Sequence, residues 1–273
     1  MKLQNWREYL IEAWGLGTFM VSAGFFATVI YSPSCPFSLM IPDNNFLKGL
    51  LMGITMGVTA IAIIYSPWGK RSGAHINPAV TLTFFRLGKI DALDTLGYVF
   101  AQFIGGVIGV LLVAVYLGQA FTDPPVNYVV TVPGTWGTIT ALIIEFLMSF
   151  GLMLMVLLTS NNNALSSYTG IFSGIMVATF ITLFAPVSGM SINPARSFAS
   201  AFPAKIWTDF WLYYFAPFMG MLSAAQIFLN SRKKPMTICY KFCPNGEQKC
   251  IAKKCCGECN LVVRNWRVDN PIE

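Results

Sequence analysis

Charge is what this sequence has least of. Only 11% of its 273 residues are Asp, Glu, Lys or Arg, where a soluble domain carries about 25%. Too few charges remain to coat a water-facing surface, which excludes a soluble enzyme and a disordered scaffold. Histidine occurs once, at position 75. No nucleophile stands with a base, no carboxylates are paired for acid–base work and no phosphate loop occurs, so no enzymatic role is expected. The formal charge of +6 is unevenly spread. Residues 1–230 hold nine Lys/Arg and eight Asp/Glu, a balance of +1, while residues 231–273 hold nine and four, a balance of +5. No nucleic-acid partner is expected. What abounds is apolar: 55% of the residues, at a mean hydropathy of +0.60. Long uncharged apolar runs point to a polytopic protein of the lipid bilayer.

Six such runs predict spanning helices, at about 9–31, 47–65, 93–117, 138–158, 165–185 and 210–229. Each is roughly 20 residues, and at ~1.5 Å per residue crosses ~30 Å of hydrocarbon. The first follows Lys2 and Arg7 but is too long for a signal-peptide core and lacks a small-residue cleavage site, so it reads as a retained helix. Two further segments, about 76–87 and 192–202, are long enough to cross only half the bilayer. Backbone that enters and stops is tolerable only where protein or water surrounds it, so two half-spans predict a water-lined interior. With the amino terminus inside, inner segments hold Lys2, Arg7, Lys70, Arg71, Arg86, Lys89, Arg232, Lys233 and Lys234, and outer loops only Lys48 and Lys205. Both termini are therefore expected in the cytoplasm, with the protein in a plasma or bacterial inner membrane.

The chain also repeats itself. Gly73-Ala74-His75-Ile76-Asn77-Pro78-Ala79 returns as Gly189-Met190-Ser191-Ile192-Asn193-Pro194-Ala195. Ala101-Gln102-Phe103-Ile104-Gly105 returns as Ala216-Pro217-Phe218-Met219-Gly220, Gly49 and Gly53 as Gly170 and Gly174, and Glu12 as Glu145. The repeats cover about 1–118 and 136–230. Each holds three spans, an odd number, so the second is inverted and the two half-helices enter from opposite faces. Their amino termini then meet near the midplane. Asn is a favoured N-cap and Pro suits the first helical position. A single Asn read this way only caps its helix. Two facing each other can donate to one permeating oxygen, and two positive helix ends disfavour a cation there.

Ser72-Gly73-Ala74-His75-Ile76-Asn77-Pro78-Ala79-Val80-Thr81 and Gly189-Met190-Ser191-Ile192-Asn193-Pro194-Ala195-Arg196-Ser197 resemble the aquaporin, or major intrinsic protein, family over about residues 8–230. The resemblance implies an all-α fold of six transmembrane helices and two re-entrant half-helices, one pore per subunit and a homotetramer. It implies a passive channel for water, and for small neutral solutes such as glycerol, that excludes protons and ions. It also assigns Arg196, the one cation inside the apolar body, to the selectivity filter, with Met190, Ile181 and Met56 as the other walls. Strict water channels carry an aromatic residue and a histidine there; their absence implies a wider filter admitting glycerol, ammonia or hydrogen peroxide. Ser197, Ala201, Tyr213 and Tyr214, by contrast, look like the water-channel forms of positions that differ in glycerol channels. The family match places His75 in the cytoplasmic vestibule, though it can equally just hold its loop.

Glu12 and Glu145 lie inside full spans. In a coupled secondary transporter, the competing reading, they would carry protons or ions; their symmetric placement favours a role in satisfying the N–H groups of the half-helix loops. A third reading is an adhesion protein with a vestigial pore, against which Asn77, Asn193 and Arg196 argue. No cofactor is required for conduction. The tail of residues 231–273 carries Cys239, Cys243, Cys250, Cys255, Cys256 and Cys259. These are candidate zinc or iron–sulfur ligands, acylation sites or free thiols. Removing the tail is expected to leave permeability intact.

Overall fold

The computed structural model describes residues 5–162, 164–231 and 241–242. The six tail cysteines thus lie outside the described residues. Six long helices are present: α1 Trp6–Tyr31, α2 Asn45–Tyr65, α4 Ala92–Leu117, α5 Gly137–Ser160, α6 Thr169–Ser188 and α8 Leu212–Ser231. Of the five short α-helices among the described residues, α3 Pro78–Arg86 and α7 Pro194–Ala204 are the two that build the site. All six long helices are apolar and long enough to cross a membrane. Their outward faces expose Phe100, Val115 and Ile139 by 66%, 80% and 74%. So continuous an apolar belt suits the hydrocarbon of a bilayer, and the protein is an integral membrane protein.

Several boundaries differ from the sequence reading. Both half-helices open two residues later than expected, at Pro78 and Pro194, because Ile76 and Ile192 sit at φ 41° and 50° and belong to the preceding loops. Each helix then starts on an Asn cap: Asn77 accepts from the Ala79 N–H, and Asn193 from those of Ala195 and Arg196. The fifth span also starts later and runs on to Ser188, since Ser166–Tyr168 forms a single 3-10 turn before it.

Contacts between chain-distant residues fix the two faces. Asn5 Nδ2 donates to Asp94 Oδ1 at the start of α4 (3.0 Å), and Tyr65 at the end of α2 donates to the Ser167 carbonyl just before α6 (2.6 Å). That is the terminal face, where α1 begins and α8 ends. On the opposite face Thr138, at the start of α5, donates to Asp209 just before α8 (2.8 Å). Within the repeats α1 packs on α4 as α5 packs on α8; between them α2 packs on α6, α3 on α8 and α7 on α4. The half-helices therefore interlock the repeats.

The α2–α6 contact depends on Gly57. A Cβ there would stand 2.6 Å from the Gly174 carbonyl oxygen and 2.9 Å from the Ala178 Cβ, both on α6. Backbone cannot swing away as a side chain does. Gly57→Val is expected to cost about 1–3 kcal/mol by overpacking, seen as a lower melting temperature in detergent. Gly151→Ala is the control. Its Cβ would meet only the Met176 Cε at 3.7 Å, and its melting temperature should hold or rise slightly.

Candidate functional site

The site is built from the two loops that precede the half-helices. In the first, Ala74 and Ile76 have φ of 52° and 41°; in the second, Met190 and Ile192 have 47° and 50°. Left-handed backbone at a residue other than glycine costs on the order of 1–3 kcal/mol, and a β-branched Ile there is rare. A buried carboxylate holds each loop in place. Glu12, wholly buried in α1, accepts at Oε1 from the Ser72 hydroxyl (2.6 Å) and the His75 N–H (3.1 Å). Its Oε2 accepts from the Ile76 N–H (2.6 Å) and Gln102 Nε2 (2.9 Å). Glu145 in α5 repeats the pattern: Ser188 hydroxyl (2.8 Å), Ser191 N–H (2.8 Å) and Ile192 N–H (2.6 Å). Pro217 stands where the first repeat has Gln102, which accounts for the missing fourth donor. Every partner donates, so the carboxylate oxygens serve here as acceptors.

The hydroxyls of Ser72 and Ser188 in turn accept from the N–H groups of Ala74 (3.1 Å) and Met190 (3.2 Å). Their carbonyls accept from Tyr98 Oη (2.7 Å) and Tyr213 Oη (2.6 Å). Sequence reasoning missed Tyr98, although it stands 21 residues after Asn77 and Tyr213 stands 20 after Asn193. That near-equal offset was the available signal.

The loops bring the two half-helix starts together. Asn77 Nδ2 donates to the Ile192 carbonyl (2.8 Å), and Asn193 Nδ2 donates to the Ile76 carbonyl (2.7 Å). Each amide oxygen is held by its own helix cap, and one amide hydrogen by the opposite loop. The plane of each Asn is therefore fixed, with its second amide hydrogen left for the space both residues line. That space is a cavity of about 460 Å³. Met56, Ile181, Met190 and Arg196 line the same cavity, as does His75. Pro78, Ala79, Pro194 and Ala195 are buried behind them as the first turns of α3 and α7. His75 also holds its loop: Nδ1 lies 3.1 Å from Thr81 Oγ1 and the ring stacks on Phe84 at 5.0 Å.

Arg196 is the only Asp, Glu, Lys or Arg among the described residues lining the cavity. Neither of the two ion pairs among the described residues includes it. Its Nη1 donates instead to the Val129 carbonyl at 2.9 Å. The loop before α5 aims that carbonyl, with Asn127, Tyr128 and Val129 all at positive φ. Val126, Val129 and Val130 also line the cavity. No sequence motif marked this loop.

Four residues singled out in sequence do not line the cavity: Ser197, Ala201, Tyr213 and Tyr214. Ser197 is buried and bonded to Thr131 Oγ1 (2.7 Å) and Ser191 Oγ (2.5 Å). With Tyr213 it supports the loop, so neither is positioned to touch a solute.

Residues 1–228 match the family described as MIP, Major intrinsic protein. The chain is 32% identical over 228 residues to the probable aquaporin AqpM of Archaeoglobus fulgidus, covering 75% of this chain and 92% of that protein. It is 34% identical to the glycerol uptake facilitator protein-like 6 of Lactiplantibacillus plantarum, covering 80% and 95%. It is also 34% identical to aquaporin NIP3-1 of Arabidopsis thaliana, covering 72% of this chain but 63% of that protein, less than two thirds of its length. Among solved structures, the aquaglyceroporin from Plasmodium falciparum superposes with a TM-score of 0.65 at 22% identity, covering 81% of this chain and 94% of that one. That likeness concerns the fold alone.

Proposed function

The chain belongs to the major intrinsic protein family, and we propose that it is a passive transmembrane channel for water that also passes small neutral solutes such as glycerol. One observation carries the reading: the reciprocal Asn77–Ile192 and Asn193–Ile76 bonds, which turn two fixed amides onto one cavity. A water oxygen taking a hydrogen from both amides has no lone pair left for a neighbouring water. Its own hydrogens then point outward along the file in both directions, and a proton cannot be relayed through it. The positive ends of α3 and α7 add a barrier to cations at the same place.

Arg196, Met190, Ile181 and Met56 form the selectivity filter in this reading. Arg196 donates to solute oxygens and repels cations, while the two Met side chains and Ile181 supply an apolar wall. That wall favours the second reading, a channel tolerant of glycerol, ammonia or hydrogen peroxide. Arg7, Lys70, Arg71, Arg86 and Lys89 on the terminal face, against Lys48 and Lys205 opposite, support cytoplasmic termini in a plasma or bacterial inner membrane. A homotetramer would cover part of the apolar belt.

The test is stopped-flow light scattering of proteoliposomes under gradients of sucrose, glycerol and urea. Vesicles holding the protein should shrink faster than empty ones under sucrose, and should re-swell under glycerol without saturation and without any ion gradient. Shrinkage no faster than that of empty vesicles, by this protein and by its Phe242→Ala variant alike, would rule out a water channel. Saturable uptake that needs a proton or sodium gradient would establish the coupled transporter instead.

A further inference from the structure

Two tail residues lie in the body of the protein. Lys241 and Phe242 are only 3% and 5% exposed. Phe242 packs in the same apolar cluster as Ile64, Ala74, Phe84 and Leu152. Its backbone N–H donates to the Gly73 carbonyl at 3.2 Å, at the head of the loop that ends in Asn77. Phe242 also lines the cavity shared by Asn77, Asn193 and Arg196. It therefore sits on the path, at its terminal-face mouth, rather than in a groove beside it.

We propose that Phe242 is a plug, a piece of the chain's own tail that closes the terminal-face mouth of the pore. The proposal rests on the channel reading above. A phenyl ring fills the space of roughly three waters, each about 30 Å³ in the liquid. It offers them no hydrogen bond, and the neighbouring Ile64, Ala74 and Leu152 offer no side-chain partner either. Apolar constrictions of this kind gate by dewetting. The family match ends at residue 228, so Phe242 lies beyond the matched segment. On this proposal, removing the tail raises permeability rather than leaving it intact.

The experiment compares full-length protein, Phe242→Ala and Phe242→Trp in proteoliposomes by stopped-flow shrinkage at matched protein content. If the plug occupies about nine-tenths of molecules, Phe242→Ala raises water permeability roughly tenfold, while Phe242→Trp stays at or below the unmodified protein. Because position 242 lies outside every helix of the described residues, equal melting temperatures check that folding is unaffected. In parallel, a benzophenone-bearing phenylalanine analogue at position 242 of the full chain should cross-link on irradiation to the segment containing residues 73–76, read by mass spectrometry. Equal conduction by all three proteins overturns the plug and leaves the channel standing. No cross-link to that segment overturns the placement. Traces no faster than empty vesicles from all three overturn the channel reading, and the plug with it.

Discussion

Glu12→Ala is expected to destabilise the protein by about 4 kcal/mol or more. The substitution strips acceptors from four buried donors: the Ser72 hydroxyl, the His75 and Ile76 N–H groups and Gln102 Nε2. Each orphaned buried donor costs about 1–3 kcal/mol, less whatever is recovered where water from the cavity can enter. Against a total stability of roughly 5–15 kcal/mol, that loss is a large fraction of what holds the protein folded and should lower both its melting temperature and its yield. Glu145→Ala removes acceptors from only three donors and should lose less. Melting in detergent, with the yield of monodisperse protein, gives the order. An equal or reversed ranking would show that the carboxylates do not act through these bonds. Any Glu145→Ala protein that folds should leak, because the strained turn at Ile192 carries the carbonyl that orients Asn77.

Arg196→Val should leave the fold intact and change what passes. The variant removes the only fixed charge that the described residues place in the cavity wall, and the donor to the Val129 carbonyl. A unit charge 4 Å from a permeating cation opposes it by roughly 4 kcal/mol at an effective dielectric of 20, about three orders of magnitude in occupancy. The positive ends of α3 and α7 remain, so the expected rise in cation or proton leak is smaller, at least about tenfold. Urea permeability should rise too, since valine is shorter than arginine and donates nothing. Vesicles loaded with a pH-sensitive dye report the leak, and light scattering reports urea. If leak and urea flux both stay at the unmodified level, the filter lies elsewhere along the cavity.

Much of this arrangement was legible residue by residue. Glu12 and Glu145 occupy matching places in the repeats and lack any basic neighbour in their spans, so backbone N–H groups were their natural partners. Asn77 and Asn193 stand directly before Pro, where an N-cap is expected. The starts of the half-helices were misplaced by two residues because Ile76 and Ile192 look like helix by hydrophobicity, while their positive φ comes from contacts with distant carboxylates. Met56, drawn from span two by family resemblance, does line the cavity beside Met190, Ile181 and Arg196. Ser197 and Tyr213, read as water-channel forms of positions that differ in glycerol channels, direct their hydroxyls to Ser191 and the Ser188 carbonyl, a loop contact that the sequence did not show.

The amino-acid order alone determined the six crossings, the inverted repeat and the two capped helix starts, because hydrophobic run length, repetition and capping are written in neighbouring residues. Only the tertiary structure decided that each Asn side chain is held by the opposite repeat, across 115 and 117 residues of chain. It alone gave Arg196 the Val129 carbonyl and seated Phe242 in the mouth. In each case the acceptor, or the apolar recess, is made of backbone and packing, which have no letter in the sequence.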